Sequence, residues 1–304
     1  MNSRILLKKN TLWKTILETS EKALHRGAQF PIPTEYEFIE DAGVRFFVRI
    51  ISSLERKSEE KQRQLASGAA GLSVNPFLPY DQALYIADIS GSHIALLNKY
   101  NVVENHLLIV TRHFEDQEAL LTIPDLEALC ACMAEYDSLG FYNGGEAAGA
   151  SQRHKHLQVV PLPLAPKGPG IPVEPLLDEA TFNGIIGQVP AFPFRHVFIR
   201  LEDVPDNSPS EAAQRMFELY GASLLSLGMR SPDPFSLTTQ SSPYCFILTR
   251  KWMLLVPRSR EYFDSLSINS LGFAGALLVR NGEQMNLLKD YGPMKVLGNV
   301  GIPI

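Results

Sequence analysis

Phe141-Tyr-Asn-Gly-Gly-Glu-Ala-Ala-Gly-Ala-Ser-Gln-Arg-His-Lys-His-Leu-Gln-Val-Val-Pro161 reads as a loop of small residues running into a strand that starts at His154. Alternate strand residues share a face, about 6.6–6.8 Å apart. His154, His156 and Gln158 therefore project together, and Lys155, Leu157 and Val159 project the other way. A line of polar groups in an apolar strand is costly to bury without a purpose. Before the strand, Gly144, Gly145, Gly149, Ala150 and Ser151 let backbone N–H groups approach an anion closely. The side chains of Ser151 and Gln152 add donors. The segment thus sets a phosphate cradle beside two imidazoles. A neutral imidazole is nucleophilic enough to attack phosphorus, so two-step transfer through a phospho- or nucleotidyl-histidine follows naturally.

Plainer readings stand beside this one. His-x-His is a possible metal pair with Cys130 and Cys132 as partners. Those cysteines are two apart on an expected helix and do not face one way, and no Cys-x-x-Cys exists, so no protein metal site is assigned. The histidines are also readable as satisfied core polar groups, and the loop as a glycine turn.

Upstream, Ile5 to Leu24 carries apolar residues at near-helical spacing and Gly27 ends the run. Arg45 to Leu54 is β-type, and a charged run, Glu55 to Arg63, opens a surface loop reaching Pro79. Ile94 to Lys99 and His106 to Thr111 read as two strands joined through Tyr100 to Asn105. Pro124 opens an amphipathic helix that Gly140 is expected to stop. Downstream, six prolines between Pro161 and Pro175 read as an extended linker. Ser208, Pro209 and Glu211 start a helix that buries Met216, Leu219, Tyr220 and Leu224 and closes at Gly228. The strand pair from Cys245 to Arg258 echoes the earlier pair ending at Arg112, a weak sign that two halves share one plan. The expected organisation is a catalytic half over 1–165, a linker over 166–190 and a second half over 191–304.

Composition bounds the rest. The chain has 304 residues, 45% of them hydrophobic and 20% charged, enough for a large core without disulfides. Its net charge of −5 argues against a nucleic-acid coat protein. The longest apolar run, Leu271 to Val279, is too short to cross a membrane. The first residues hold no signal-peptide core, and three cysteines form no framework, so a cytoplasmic location is expected.

Ala148-Gly-Ala-Ser-Gln-Arg-His-Lys-His-Leu-Gln158 resembles the active-site signature of the diadenosine tetraphosphate phosphorylases, also called ATP adenylyltransferases, of the histidine triad superfamily. Asn75-Pro-Phe-Leu-Pro-Tyr80, Leu97-Asn-Lys99, Asn105 to Arg112 and Phe141-Tyr-Asn143 resemble that family's N-terminal half. Lys251-Trp-Met253, Val256-Pro-Arg-Ser259 and Asn269 to Gly275 resemble its C-terminal half. The resemblance covers the chain from about Arg45 to its last residue.

The resemblance implies an α+β, histidine-triad-like fold with an antiparallel-rich sheet flanked by helices, its two halves packed as one body. It makes His156 the nucleophile that takes AMP and His154 the residue that orients it. Gln158 stands where the superfamily's hydrolases keep a third histidine. Glutamine has no imidazolium proton to give, which disfavours release to water and favours transfer to another phosphate. Asn98 matches a ribose-binding position, Asn143 a phosphate-contacting amide, and Gly149, Ala150, Ser151 and Gln152 the polyphosphate loop. Lys57 matches a residue for the far phosphates, and Lys251 and Met253 match the lining of the adenine pocket. The implied reaction splits diadenosine tetraphosphate with inorganic phosphate into ATP and ADP through an AMP-histidine, reversibly. Mg²⁺ is expected with the polyphosphate, and a monomer satisfies everything in the sequence. The rival readings are a hexose-phosphate uridylyltransferase-like transfer, whose Cys-rich zinc ligands are missing here, and a non-catalytic module binding adenine polyphosphates.

Overall fold

The structure is a computed structural model that describes residues 4–51, 75–201, 208–229 and 239–304. Lys57 and the charged run around it lie outside the described residues.

Ten strands form one antiparallel sheet. Five come from the first half of the chain: β3 (Tyr85–Asp88), β4 (His93–Leu97), β5 (Leu107–Thr111), β6 (Ser138–Gly144) and β7 (His156–Pro161). The other five come from the second half: β8 (Thr181–Asn183), β9 (Ile186–Gln188), β10 (Val197–Arg200), β11 (Tyr244–Leu248) and β12 (Trp252–Pro257). Their spatial order is β3-β4-β5-β7-β6-β11-β12-β10-β9-β8, so the halves join where β6 pairs with β11. Both strand pairs of the sequence echo, β4–β5 and β11–β12, are antiparallel hairpins of this sheet. A smaller sheet, in the order β1-β2-β15, is built from β1 (Thr34–Asp41), β2 (Val44–Ile51) and β15 (Ala276–Val279), and β13 (Tyr262–Phe263) pairs with β14 (Leu266–Ser267) in a short hairpin.

Helices cover one face of the large sheet. These are α1 (Leu12–His25), α2 (Ile123–Met133) and α4 (Pro209–Ser226), packed on Leu157, Val159, Tyr244, Phe246 and Met253. Ser208 caps α4, its hydroxyl accepting from Glu211 N, and the expected face of Met216, Leu219, Tyr220 and Leu224 is buried. α1 is shorter than the apolar spacing suggested. Ile5 and Leu6 precede it, and Leu6 N donates instead to Ile89 O at 2.8 Å.

α2 ends at Met133, before the glycine expected to stop it. Gly140 lies inside β6, where a Cβ would come within 2.8 Å of Leu129 and Met133, so the glycine lets α2 press on the sheet. The Phe141-Tyr142-Asn143 segment is therefore strand rather than loop. All seven residues of β6 are buried because both faces of the sheet are covered there, which hides the period-two pattern.

The opposite face carries a second core cluster under β2, β15 and the C-terminal helices α5 (Ser270–Phe273), α6 (Gly282–Tyr291) and α7 (Pro293–Val300). The proline-rich segment belongs to this core and is not an extended linker. Leu164, Ile171 and Val173 are buried, and a short helix, α3 (Glu174–Leu177), follows before β8 and β9. Apolar residues between the prolines supply the contact that holds the segment down. A third small cluster, Phe77, Ile94, Leu96, Leu108 and Val110, sits on the same face over β4 and β5. Between these clusters the β5–β7–β6 floor carries the polar groups.

Candidate active site

His154 comes just before β7, in a bridge with Asp116, and His156 opens the strand. The expected alternation holds: Leu157 and Val159 enter the helix-side core, and both histidines face the other way. Phe77 packs on both imidazoles, with centroids 5.6 Å from His154 and 5.4 Å from His156. Phe114 stands edge-on to His154 at 5.6 Å.

Hydrogen bonds settle the tautomers, because a carbonyl oxygen accepts and never donates. His156 Nδ1 donates to His154 O at 2.8 Å. The Nε2 of His156 then carries the lone pair. His154 Nε2 donates to Thr111 O at 2.8 Å, so its Nδ1 accepts from Asn75 Nδ2 at 3.0 Å. Asn75 is oriented in turn, since its Oδ1 accepts from Phe77 N at 3.0 Å. Burial pushes the His156 pKa down to about 4 and lowers that of His154 as well. Both rings are neutral at pH 7, and neutral is the form that attacks phosphorus.

Gln158 faces Leu108 across the β5–β7 ladder and lies against a third histidine, His106. Burial pushes His106 down to about 4, and the neighbouring His156 adds to the shift. Asn98 joins this group by placing its Nδ2 3.1 Å from His106 Nδ1. Asn143, on β6, is 2% exposed. Its Oδ1 accepts from Ser270 N at 2.9 Å and from Ser270 Oγ at 2.6 Å. The C-terminal half thus fixes this amide and turns its NH₂ away from Ser270.

The small-residue loop lines a polar cleft. Gly149, Ala150, Ser151 and Gln152 form one wall, and Tyr262, Ser267 and Arg280 from the C-terminal half form another. Gly149 has φ +93°, and a Cβ there would stand 2.8 Å from Asn269 Cβ, so glycine is required twice over. Among the described residues no three histidine, cysteine, aspartate or glutamate side chains converge as metal ligands, and the residues present do not form a metal site.

Two expected site residues fall elsewhere. Met253 is 1% exposed in the helix-side core, on the sheet face opposite His156. Lys251 lies exposed in the β11–β12 turn. The ladder level of His156 passes through Cys245 and Val256, and the strand from Lys251 to Val256 spans about 17 Å. Alternation along β12 and the length of the hairpin separate both residues from the imidazoles. Of the arginines at strand ends, Arg112 is taken by Asp88 and Ser90 O. Arg258, 1% exposed, spends its guanidinium on Val300 O, Ala148 O, Arg260 O and Ile268 O, and so ties the loop to the C-terminal half.

Behind β7, Lys155 is fully buried. Its Nζ donates to Asp125 Oδ2 at 2.7 Å and to Leu120 O at 2.9 Å. Burial pushes the Asp125 carboxyl up, but the hydrogen bond from His93 and the charge of Lys155 outweigh it and hold the group well below the usual range. Asp125 also closes the capping box of α2 with Thr122. One carboxylate therefore anchors both the helix and the histidine strand. Sequence reasoning missed Asn75 as a partner of His154, and it missed His106, Gln117, Ser270 and Arg280. Asn75, His106 and Ser270 stood inside motifs already singled out, whereas nothing local marked Gln117 or Arg280.

Comparisons with known proteins agree with this geometry. Residues 2–179 match the family profile of the Ap4A phosphorylase N-terminal domain, and residues 190–303 match the ATP adenylyltransferase C-terminal domain. Diadenosine 5',5'''-P1,P4-tetraphosphate phosphorylase 2 of Saccharomyces cerevisiae is 33% identical over 245 residues, covering 71% of this chain and 72% of that protein. The crystal structure of yeast Ap4A phosphorylase Apa2 superposes with a TM-score of 0.77 at 26% identity, covering 98% of this chain and 96% of that one. Apa2 in complex with Ap4A gives the same TM-score at 25% identity, over 98% and 99% of the two chains. The chain belongs to the Ap4A phosphorylase family.

Proposed function

We propose that this protein cleaves diadenosine tetraphosphate with inorganic phosphate, giving ATP and ADP by nucleotidyl transfer through His156. The observation that carries the reading is the free Nε2 lone pair of His156, held in place by the bond from Nδ1 to His154 O. Nε2 attacks the α-phosphorus, the bond to the bridging oxygen breaks, and ATP leaves. Phosphate then attacks the AMP-histidine from the opposite side, freeing Nε2 and forming ADP. Both steps are in-line displacements, so positioning and charge neutralisation supply most of the catalysis.

The remaining groups divide the substrate among them. The apolar cluster of Phe77, Ile94, Leu96, Leu108 and Val110 takes the adenine, and Asn98 takes the ribose. Asn143, Gly149, Ala150, Ser151 and Gln152 hold the phosphates near the reacting centre, and Arg280 meets the far ones across the cleft. Mg²⁺ arrives on the polyphosphate as part of the substrate. Gln158 gives no imidazolium proton, which favours transfer over hydrolysis. The protein acts in the cytoplasm, and nothing in its sequence demands a dimer; its two halves work as one body joined where β6 pairs with β11. No helix among the described residues is long and apolar enough to cross a membrane.

The test is product analysis with diadenosine tetraphosphate, with and without phosphate, for wild type and His156→Ala. ATP plus ADP, dependent on phosphate and lost in the variant, supports the reading. ATP plus AMP without phosphate makes the protein a hydrolase. Binding without turnover makes it a nucleotide sensor, and a UMP adduct from a UDP-sugar makes it a uridylyltransferase.

A further inference from the structure

Gln117 is 2% exposed and has no part in the chemistry above. The ladder between β6 and β7 stops at the pair Phe141–Gln158. Continued in the same register it would pair Asn143 with His156, the amide that faces phosphate with the nucleophile. In its place stands the carboxamide of Gln117. Its Oε1 accepts from His156 N at 2.8 Å. Its Nε2 donates to Asn143 O at 2.9 Å and to His156 O at 3.2 Å. The main chain of Gln117 is itself pinned, since its N donates to Arg153 O at 2.7 Å and its O accepts from the Tyr142 hydroxyl. A primary amide offers an acceptor and two donors in one plane. All three are used here, and the His156 N–H dictates which way the amide points.

We propose that Gln117 is a positioning residue: its carboxamide stands in for the strand ladder at the level of His156 and fixes the spacing between the nucleophile and Asn143. The role rests on the functional reading above. The backbone of the histidine at the start of β7 is held on its β6 side by a side chain from another segment, so the placement of His156 against Asn143 depends on that amide. A shift of about 1 Å at a reacting atom costs on the order of 100-fold in rate.

Gln117→Glu tests this directly. The carboxylate keeps an acceptor for His156 N–H but loses both donors and faces two carbonyl oxygens. Single-turnover formation of the AMP-histidine from diadenosine tetraphosphate, followed by quench and mass spectrometry, is expected to slow about 100-fold, with KM within about threefold of wild type. As pH falls from about 7 to about 5 the carboxyl protonates, regains a donor, and the rate rises, whereas wild type does not accelerate. A lost strand contact alone has no such pH rescue. Gln117→Asn, with the same groups one methylene short, gives a folded second variant and an intermediate rate. Variants that keep the wild-type rate, or that lose rate in proportion to unfolded protein, overturn the role. A wild type that forms no adduct overturns the functional reading, and the role with it.

Discussion

The Nδ1 of His156 lies 2.8 Å from the carbonyl oxygen of His154, two residues back along the chain. The bond locks the proton on Nδ1 and leaves Nε2 as the base. With the His156 pKa pushed down to about 4 by burial, kcat/KM is expected to fall on an acid limb with its midpoint near that value. It should stay flat from about pH 5 to 8. A pH–rate profile checks this, and an acid limb at an ordinary histidine pKa would contradict it.

The same burial makes folding sensitive to acid. His106 and His156 have folded pKa values near 4, against 6.5 for the free side chain, and His154 is lowered too. Between those values the unfolded chain binds more protons, so stability rises with pH there and is lost as pH drops through about 4. Each of the two most shifted rings contributes on the order of 3 kcal/mol, less in combination because they interact. Urea unfolding at pH 7, 5.5 and 4.5 should show a steadily falling midpoint.

Asn75 holds the Nδ1 of His154 at 3.0 Å. Asn75→Ala leaves that nitrogen without its donor and frees the ring to rotate. A loss of about tenfold in kcat/KM is expected, equal to about 1.4 kcal/mol, with the melting temperature little changed. Steady-state kinetics beside thermal unfolding separates the two effects.

Lys155→Met strands the Asp125 carboxylate, which is 1% exposed. A broken buried pair costs about 3–5 kcal/mol. Adding Asp125→Asn in the same chain removes the orphan charge and should recover part of the loss. Chemical denaturation of the single and double variants measures the coupling.

Gly149→Ala puts a Cβ against Asn269 in a backbone with φ +93°. The loop must move to admit it. KM for the dinucleotide should rise about tenfold, and the Tm should fall as well, because a side chain at this positive φ costs about 1–3 kcal/mol. An unchanged KM would mean that the loop does not hold phosphate.

The face shared by His154, His156 and Gln158 was legible because strand geometry has a period of two and the polar residues obey it. Lys155 was placed on the other face by the same rule. The glycines of the loop were legible because small residues beside polar ones have few other uses. Gln117 was not legible, since its bonds to His156 and Asn143 join segments that no local pattern connects. Met253 and Lys251 matched a family motif, yet motif matching carries no information about which face of β12 a residue occupies. Gly140 misled because a glycine after a helical pattern signals a stop, and here it makes room for Leu129 and Met133.

The seam between β6 and β11 has a consequence during synthesis. β6 is complete once Gly144 is made, but its partner Tyr244–Leu248 follows much later in the chain. At about 5–20 residues per second the ribosome takes on the order of 5–20 s to cross that gap. For that time the nascent chain offers a bare apolar strand edge, an invitation to pair with a neighbour. The protein should therefore depend on chaperone cover as it emerges. Its two halves, made as separate polypeptides, should recover activity when synthesised together and precipitate when made alone.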